Sequence, residues 1–305
     1  MKILIIGLGS IGKKHLQSTQ SIFPDAEFFA FRFNKNAEQI NGVINVFDFN
    51  DLVSIQIDFA IISNPTSEHK KTILQLVPFG FPLFIEKPVY YNLDLNDVIE
   101  FVNKNSILTY VACNLRFLDC LIYIKNTLSR LVGKKINEVN IYCGSYLPDW
   151  RPGTDYRKIY SASAGLGGGV HLDLIHELDY IYWLFGYPNS VKSHLKNTSS
   201  LEISSYDYAN YLLDYNGFCA SVVLNYYRRD PRRTLEIIFE DETWNVDLLK
   251  NCITCNNNII FSSEQRIKDT YLPQMKYFTQ CVINKENTFN SVSDAFNVLK
   301  ICLVQ

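Results

Sequence analysis

Two short segments carry side chains suited to moving a proton and holding a developing negative charge. Glu86-Lys87-Pro88 follows the apolar run Leu83-Phe84-Ile85. A lysine at the end of such a strand can hydrogen-bond a reacting oxygen and stabilise alkoxide charge. Alone the tripeptide is a weak signal, and its plainer reading is a polar strand end with a proline stop. The second segment opens at Gly167-Gly168-Gly169 and runs into a predicted helix over Val170 to Phe185. Offsets of three put Asp173, His176 and Asp179 along one face, opposite the apolar stripe of Ile175, Leu178, Ile181 or Tyr182, and Phe185. A carboxylate one turn from an imidazole can fix its tautomer and orientation, as a general acid/base requires. A surface acid–histidine pair capping a helix has the same spacing. A metal reading through His171, Asp173 and His176 lacks the H-E-x-x-H spacing. The lone pair Cys252 and Cys255 would point to opposite faces of a strand, so no metal is expected.

A third motif, Gly7-Leu8-Gly9-Ser10-Ile11-Gly12, matches G-x-G-x-x-G and lies between a predicted strand and a predicted helix. The first glycine permits a tight turn, the second lets a pyrophosphate approach the backbone, and the third allows close helix–strand packing. A dinucleotide is therefore expected there. The position that reads the ribose, after the strand Phe28-Phe29-Ala30-Phe31, holds Arg32 where NAD binders usually carry an acid. An arginine can clamp a 2′-phosphate, which favours NADP over NAD; a solvated strand-end arginine is the alternative.

These motifs need a scaffold of alternating elements. Apolar runs over residues 2–6, 27–33, 59–62, 83–85 and 108–113 read as strands. Helices are predicted after Gly12 and over 67–76 and 94–103, an order that implies a parallel, doubly wound sheet. After a transition helix near 118–131, strands are predicted over 136–146, 191–195, 208–215, 219–226, 234–239 and 243–247, which implies a mostly antiparallel second domain. Asn216-Gly217 is the best hairpin signal, Asn256-Asn257-Asn258 reads as a turn, and helices over 271–284 and 292–303 close the chain. The basic cluster Arg228-Arg229-Asp230-Pro231-Arg232-Arg233 reads as a solvated turn between two strands, or as a second anion contact.

The 305 residues are 47% hydrophobic and carry 29 Lys+Arg against 31 Asp+Glu, a net charge of −2. That is enough apolar chain for two domains, and there is no global basic field to attract nucleic acid or an anionic membrane. No apolar run approaches the roughly eighteen residues of a membrane span. The start, Met1 to Gly7, is too short and wrongly punctuated for a signal peptide, so a cytoplasmic location is expected. Eight scattered cysteines fit reduced thiols.

Taken in order, Gly7 to Gly12, Ser63-Asn64-Pro65 with His69, Glu86-Lys87-Pro88 and the glycine-rich Asp173/His176 helix resemble the glucose-fructose oxidoreductase, inositol dehydrogenase and MocA family (Gfo/Idh/MocA), over nearly the whole chain. The resemblance implies an α/β protein: an N-terminal Rossmann domain (1–118) and a C-terminal α+β domain with a large, mostly antiparallel open sheet (119–305). It also implies NAD(P)-dependent oxidation or reduction of a small sugar or cyclitol. Cofactor contacts are expected at Gly7, Gly9, Ser10, Ile11, Gly12, Arg32, Ser63, Asn64, Pro65, His69, Glu86, Lys87 and Asn114. Lys87, His176 and Asp173 take the catalytic positions, Pro88 a position often cis, and Arg116 lies near the substrate. Related proteins are often dimers or tetramers through the exposed sheet face, so a homodimer or homotetramer is expected.

The loop from Tyr146 to Arg157 resembles a subgroup associated with bacterial surface-polysaccharide sugars. Trp150 and Tyr156 could pack on a sugar ring while Arg151 or Arg157 forks onto a carboxylate or phosphate. A nucleotide sugar or acidic sugar is therefore expected, an ordinary ordered loop being the alternative. Two other functions fit the same fold: a cofactor-sensing regulator without turnover, which the retained Lys87, Asp173 and His176 argue against, and glycoside cleavage by transient oxidation and elimination.

Overall fold

The computed structural model describes residues 1–131 and 133–304; elements are numbered in chain order. The first six strands, β1 (Lys2–Ile6), β2 (Glu27–Phe31), β3 (Val43–Val46), β4 (Phe59–Ile62), β5 (Leu83–Glu86) and β6 (Thr109–Ala112), form one parallel sheet in the order β3-β2-β1-β4-β5-β6. Ile3 to Ile6, Phe59 to Ile62 and Leu83 to Ile85 are wholly buried, because helices cover both faces of a parallel sheet. The strand order reverses between β1 and β4, and the carboxyl ends of such strands are where doubly wound folds bind ligands. The helices here are α1 (Ser10–Ile22), α2 (His69–Leu76) and α3 (Asn96–Lys104). α3 starts later than the sequence suggests, and the Asp94 carboxylate pairs with Lys70 at 2.8 Å. β3 has no sequence signal: it is a four-residue edge strand with Ile44 exposed.

After α4 (Asp119–Leu128), the chain builds a sheet of eight strands: β7 (Ile136–Tyr146), β8 (Ser190–Lys196), β9 (Tyr208–Tyr215), β10 (Phe218–Asn225), β11 (Tyr227–Phe239), β12 (Thr243–Asp247), β13 (Cys252–Cys255) and β14 (Asn258–Ser262). Their order is β14-β13-β12-β11-β7-β10-β9-β8, antiparallel except for β7 beside β10. One face buries Val139, Ile141, Val222, Leu224, Leu235 and Ile237, the period-two pattern of a half-buried sheet. The hairpin at Asn216-Gly217 forms as expected, with Gly217 at φ 97°. Asn256 and Asn257 both take positive φ, which turns β13 into β14, a strand the sequence reading missed.

Two expectations are corrected. The predicted helix over 170–185 is two helices, α5 (Val170–Asp173) and α6 (His176–Phe185). The break at Leu174 and Ile175 buries both of those side chains. The Arg228–Arg233 cluster is no free turn, since it lies within β11. Tyr227 pairs with Tyr146 and Arg232 with Gly144, so the residues between them bulge out of register. Arg229 stacks 3.7 Å over the Tyr146 ring, and Arg228 and Arg232 lie over Tyr142, which holds the segment on the sheet.

The chain closes with α7 (Tyr271–Asn284) and α8 (Val292–Cys302). Two compact units result: residues 1–113 with 271–299, and residues 114–270 with 300–305. The division at 118/119 drawn from sequence therefore misses a return of the chain. Its cause is α7, which packs against α1 and sets the fully buried Phe278 at 5.3 Å from Phe59 and 5.4 Å from Phe84, ring to ring.

Candidate active site

In the first unit, the turn between β1 and α1 is shaped by its glycines. Gly7 has φ 91°, and a Cβ there would lie 2.5 Å from the Asn64 backbone nitrogen. At Gly12 a Cβ would lie 2.0 Å from the Gly7 carbonyl oxygen, so only glycine lets the helix approach the turn. Gly9 differs, since a Cβ added there meets nothing within 4 Å. Gly9 is also the N-cap of α1, with no side chain capping the helix. The backbone N–H groups of Ser10 and Ile11 thus stand in the first turn of a helix whose positive end attracts anions. Space at the second glycine, with crowding at the first and third, fits a dinucleotide pyrophosphate. Ser63 donates to the Gly7 carbonyl at 2.7 Å and clasps the turn to the end of β4.

The neighbouring loops are tied together. Asn64 donates to Thr72 at 2.9 Å. His69 is buried, with Nε2 3.0 Å from the Asn64 carbonyl oxygen and Nδ1 3.1 Å from that of Pro88. Burial, partly offset by these carbonyls, lowers its pKa, and a neutral ring has a single N–H to donate to one of the two carbonyls. The Lys87–Pro88 peptide is cis. Glu86, immediately before it, is buried against His15 on α1 at 2.5 Å, a partner the sequence reading missed. The Arg32 guanidinium donates to the Glu38 carbonyl at 3.3 Å, and among the described residues no carboxylate lies within ion-pair distance of it.

In the second unit, the break between α5 and α6 sets Asp173 against β10: Tyr226, just past that strand, donates to Oδ2 at 2.5 Å. Burial, then the Asp173 charge, push the Tyr226 hydroxyl well above its usual pKa, which keeps it a donor. The Trp150 ring stands edge-on to Tyr226 at 5.3 Å, and its indole N–H donates to Ser145 at 2.9 Å. Trp150, Tyr226 and Asp173 therefore form one contiguous group. Tyr226 was missed because it reads as one more apolar residue in an alternating run.

The acids that follow His176 are buried, although the sequence pattern puts Asp179 opposite the apolar stripe. Glu177 is wholly buried and accepts from Arg233 at 2.6 and 3.1 Å. Asp179 is buried against Arg116, at 2.8 and 2.7 Å. These forked pairs pin the first turn of α6, and with it His176, to two other elements. Arg116, expected near the substrate, is buried with its guanidinium fork engaged by Asp179. Asn114 is likewise internal, donating to Thr270 at 2.7 Å. Tyr156 donates to the Leu201 carbonyl at 3.0 Å, and Arg157 pairs with Asp155 at 3.1 Å and Glu202 at 3.8 Å in exposed positions. Arg151 is exposed. Among the described residues, no group of three or more His, Cys, Asp or Glu is placed to hold a metal, and no helix is long and apolar enough to cross a membrane.

Comparison with known proteins agrees with this geometry. Residues 1–112 match the model of the oxidoreductase family with an NAD-binding Rossmann fold, and residues 126–244 match the GFO/IDH/MocA C-terminal domain. An uncharacterized oxidoreductase of Streptococcus pneumoniae is 25% identical over 194 residues, 61% of this chain and 50% of the relative, so the match spans half of that protein. The scyllo-inositol 2-dehydrogenase (NAD(+)) of Bacillus subtilis is 22% identical, covering 97% of this chain and 90% of the relative. Among solved structures, UDP-N-acetylglucosamine 3-dehydrogenase from Acidithiobacillus ferrooxidans superposes with a TM-score of 0.80 at 19% identity, covering 99% of this chain and 95% of that one, a likeness of fold.

Proposed function

The chain belongs to the Gfo/Idh/MocA oxidoreductase family, and on that premise we propose that it moves a hydride between a nicotinamide cofactor and the hydroxyl-bearing carbon of a sugar or sugar derivative. The observation that carries this reading is the turn at Gly7 to Gly12, closed by backbone at its first and third glycines and open at its second. The cofactor, when bound, supplies the hydride acceptor or donor. In the oxidative direction the substrate alcohol becomes a ketone and releases one proton, which His176 accepts. Lys87 hydrogen-bonds the substrate oxygen and stabilises its negative charge as the proton leaves. Asp173, steadied by Tyr226, holds a neighbouring hydroxyl, and Trp150 offers its exposed surface to the sugar ring. Reduction follows the same steps backwards.

The preferred substrate in this reading is a nucleotide sugar or acidic sugar used in surface-polysaccharide synthesis. Two features support it: Arg151 is exposed, and the pairs made by Arg157 are exposed and weak enough to exchange for a substrate anion. Arg32, with no carboxylate within ion-pair distance among the described residues, supports NADP as the cofactor.

Thermal-shift titration with NAD⁺, NADH, NADP⁺ and NADPH tests the cofactor, since a ligand that binds only the folded state raises its stability. The expected result is a larger shift with NADP(H), moving toward NAD(H) in Arg32→Asp. No shift with any of the four, in protein stripped of co-purified nucleotide, would sink the proposal. Turnover is then assayed with UDP-N-acetylglucosamine and with scyllo-inositol, and Lys87→Ala is expected to lower kcat by about a thousandfold. Wild-type turnover in that variant removes Lys87 from the chemistry.

A further inference from the structure

A buried ionisable pair lies directly before Lys87, and neither the glycine turn nor the proton transfers above make use of it. His15 projects from α1 and is wholly buried, with Nε2 2.5 Å from Glu86 Oε1. The other carboxylate oxygen, Oε2, accepts the Lys87 backbone N–H at 3.0 Å. Glu86 is thus held on one side by the helix that presents its N-terminus at Gly9 and on the other by the peptide of Lys87. The imidazole is itself fixed, edge-on to Phe84 at 4.8 Å and to Tyr271 at 6.0 Å. Burial alone would push the Glu86 carboxyl up, yet it lies below the usual carboxylate range, because His15 and the Lys87 N–H stabilise the charge. Apolar side chains of the same volume would fill this space without the cost of desolvating a carboxylate. What the pair adds over such packing is a fixed direction for the carboxylate, and that direction acts on the backbone of one residue.

We propose that His15 is a positioning residue: through Glu86 it sets the backbone of Lys87 and ties that lysine to the phosphate-facing helix α1. The proposal rests on the assignment of Lys87 to the chemistry, where a misplacement of about 1 Å is costly, on the order of a hundredfold in rate.

The test needs neither substrate nor cofactor. Purified protein is treated with trace acetic anhydride, and the acetylation rate of each lysine is read by mass spectrometry. Lys134, held by Asp241 at 2.9 Å and by Glu242 at 2.6 Å, serves as the internal reference. In His15→Leu, which fills the volume without the hydrogen bond, the Lys87 rate is expected to change about threefold or more relative to Lys134, as a local opening does. In His15→Gln, whose amide can still donate to Glu86, the rate returns to the wild-type value. His15→Ala is read in the same way if the leucine variant does not fold. An unchanged Lys87 rate, a uniform change at every lysine, or a glutamine variant as perturbed as the leucine one overturns the proposal. Its failure is distinct from that of the catalytic reading, because Lys87→Ala turnover tests the latter alone.

Discussion

His171 shows how a single buried side chain sets a limit on the whole protein. It lies within α5, packs edge-on to Tyr206 at 5.4 Å, and burial lowers its pKa to about 4. The unfolded chain takes up this proton near pH 6.5, whereas the folded chain does not do so until about pH 4. The stability this neutral ring contributes is therefore complete above pH 6.5 and declines as pH falls through that window. Between pH 7 and pH 4.5 the loss is about 2–3 kcal/mol. In urea unfolding, His171→Gln is expected to show a pH dependence shallower than wild type by that amount; equal slopes would show that the ring titrates normally. The same environment argues against His171 as a proton carrier near neutral pH.

At the scale of elements, the turn between β1 and α1 gives a pair of substitutions with opposite signatures. Gly9→Ala adds a methyl into open space at a φ of −72°, which any residue adopts, so the fold is untouched while the approach of a pyrophosphate is blocked. An unchanged melting temperature with nucleotide affinity at least about tenfold weaker is expected, a loss of about 1.4 kcal/mol. Gly12→Ala drives its methyl into the Gly7 carbonyl and is expected to destabilise the protein itself by about 1–3 kcal/mol, as overpacking does. Calorimetry of the two variants separates these effects; similar melting temperatures would refute the packing argument. This element was legible in the sequence because glycine spacing and an apolar strand state the same local geometry twice. The helix bearing Asp173 and His176 was legible only in part. Its apolar spacing continues through Leu174 and Ile175, so nothing in the periodicity marks a break. Likewise, Glu177 and Asp179 look solvated in a sequence because their buried partners, Arg233 and Arg116, lie far away along the chain.

At the scale of the molecule, the first unit is assembled from two separate stretches of chain, 1–113 and 271–299. A fragment of residues 1–118 lacks Phe278 and leaves Phe59 and Phe84 open, and the removal of a buried phenylalanine alone costs about 3–5 kcal/mol. Such a fragment is expected to unfold without a cooperative transition. Joining 1–113 to 271–299 by a short glycine-serine linker restores one, since Asn114 and Thr270, which flank the cut, are hydrogen-bonded at 2.7 Å. Circular dichroism melts of both fragments decide the matter; a cooperative melt of 1–118 would show that α7 is dispensable. The sequence concealed this return because α7 has an ordinary amphipathic pattern that any sheet could receive. The same arrangement orders events during synthesis. A ribosome adding about 5–20 residues per second takes about 10–30 s to travel from the end of β6 to Phe278. Throughout that interval the earliest-made unit waits for the helix that packs on Phe59 and Phe84, while the eight strands of the later-made one are still being added. The half of the protein that leaves the ribosome first is the half that most needs a chaperone.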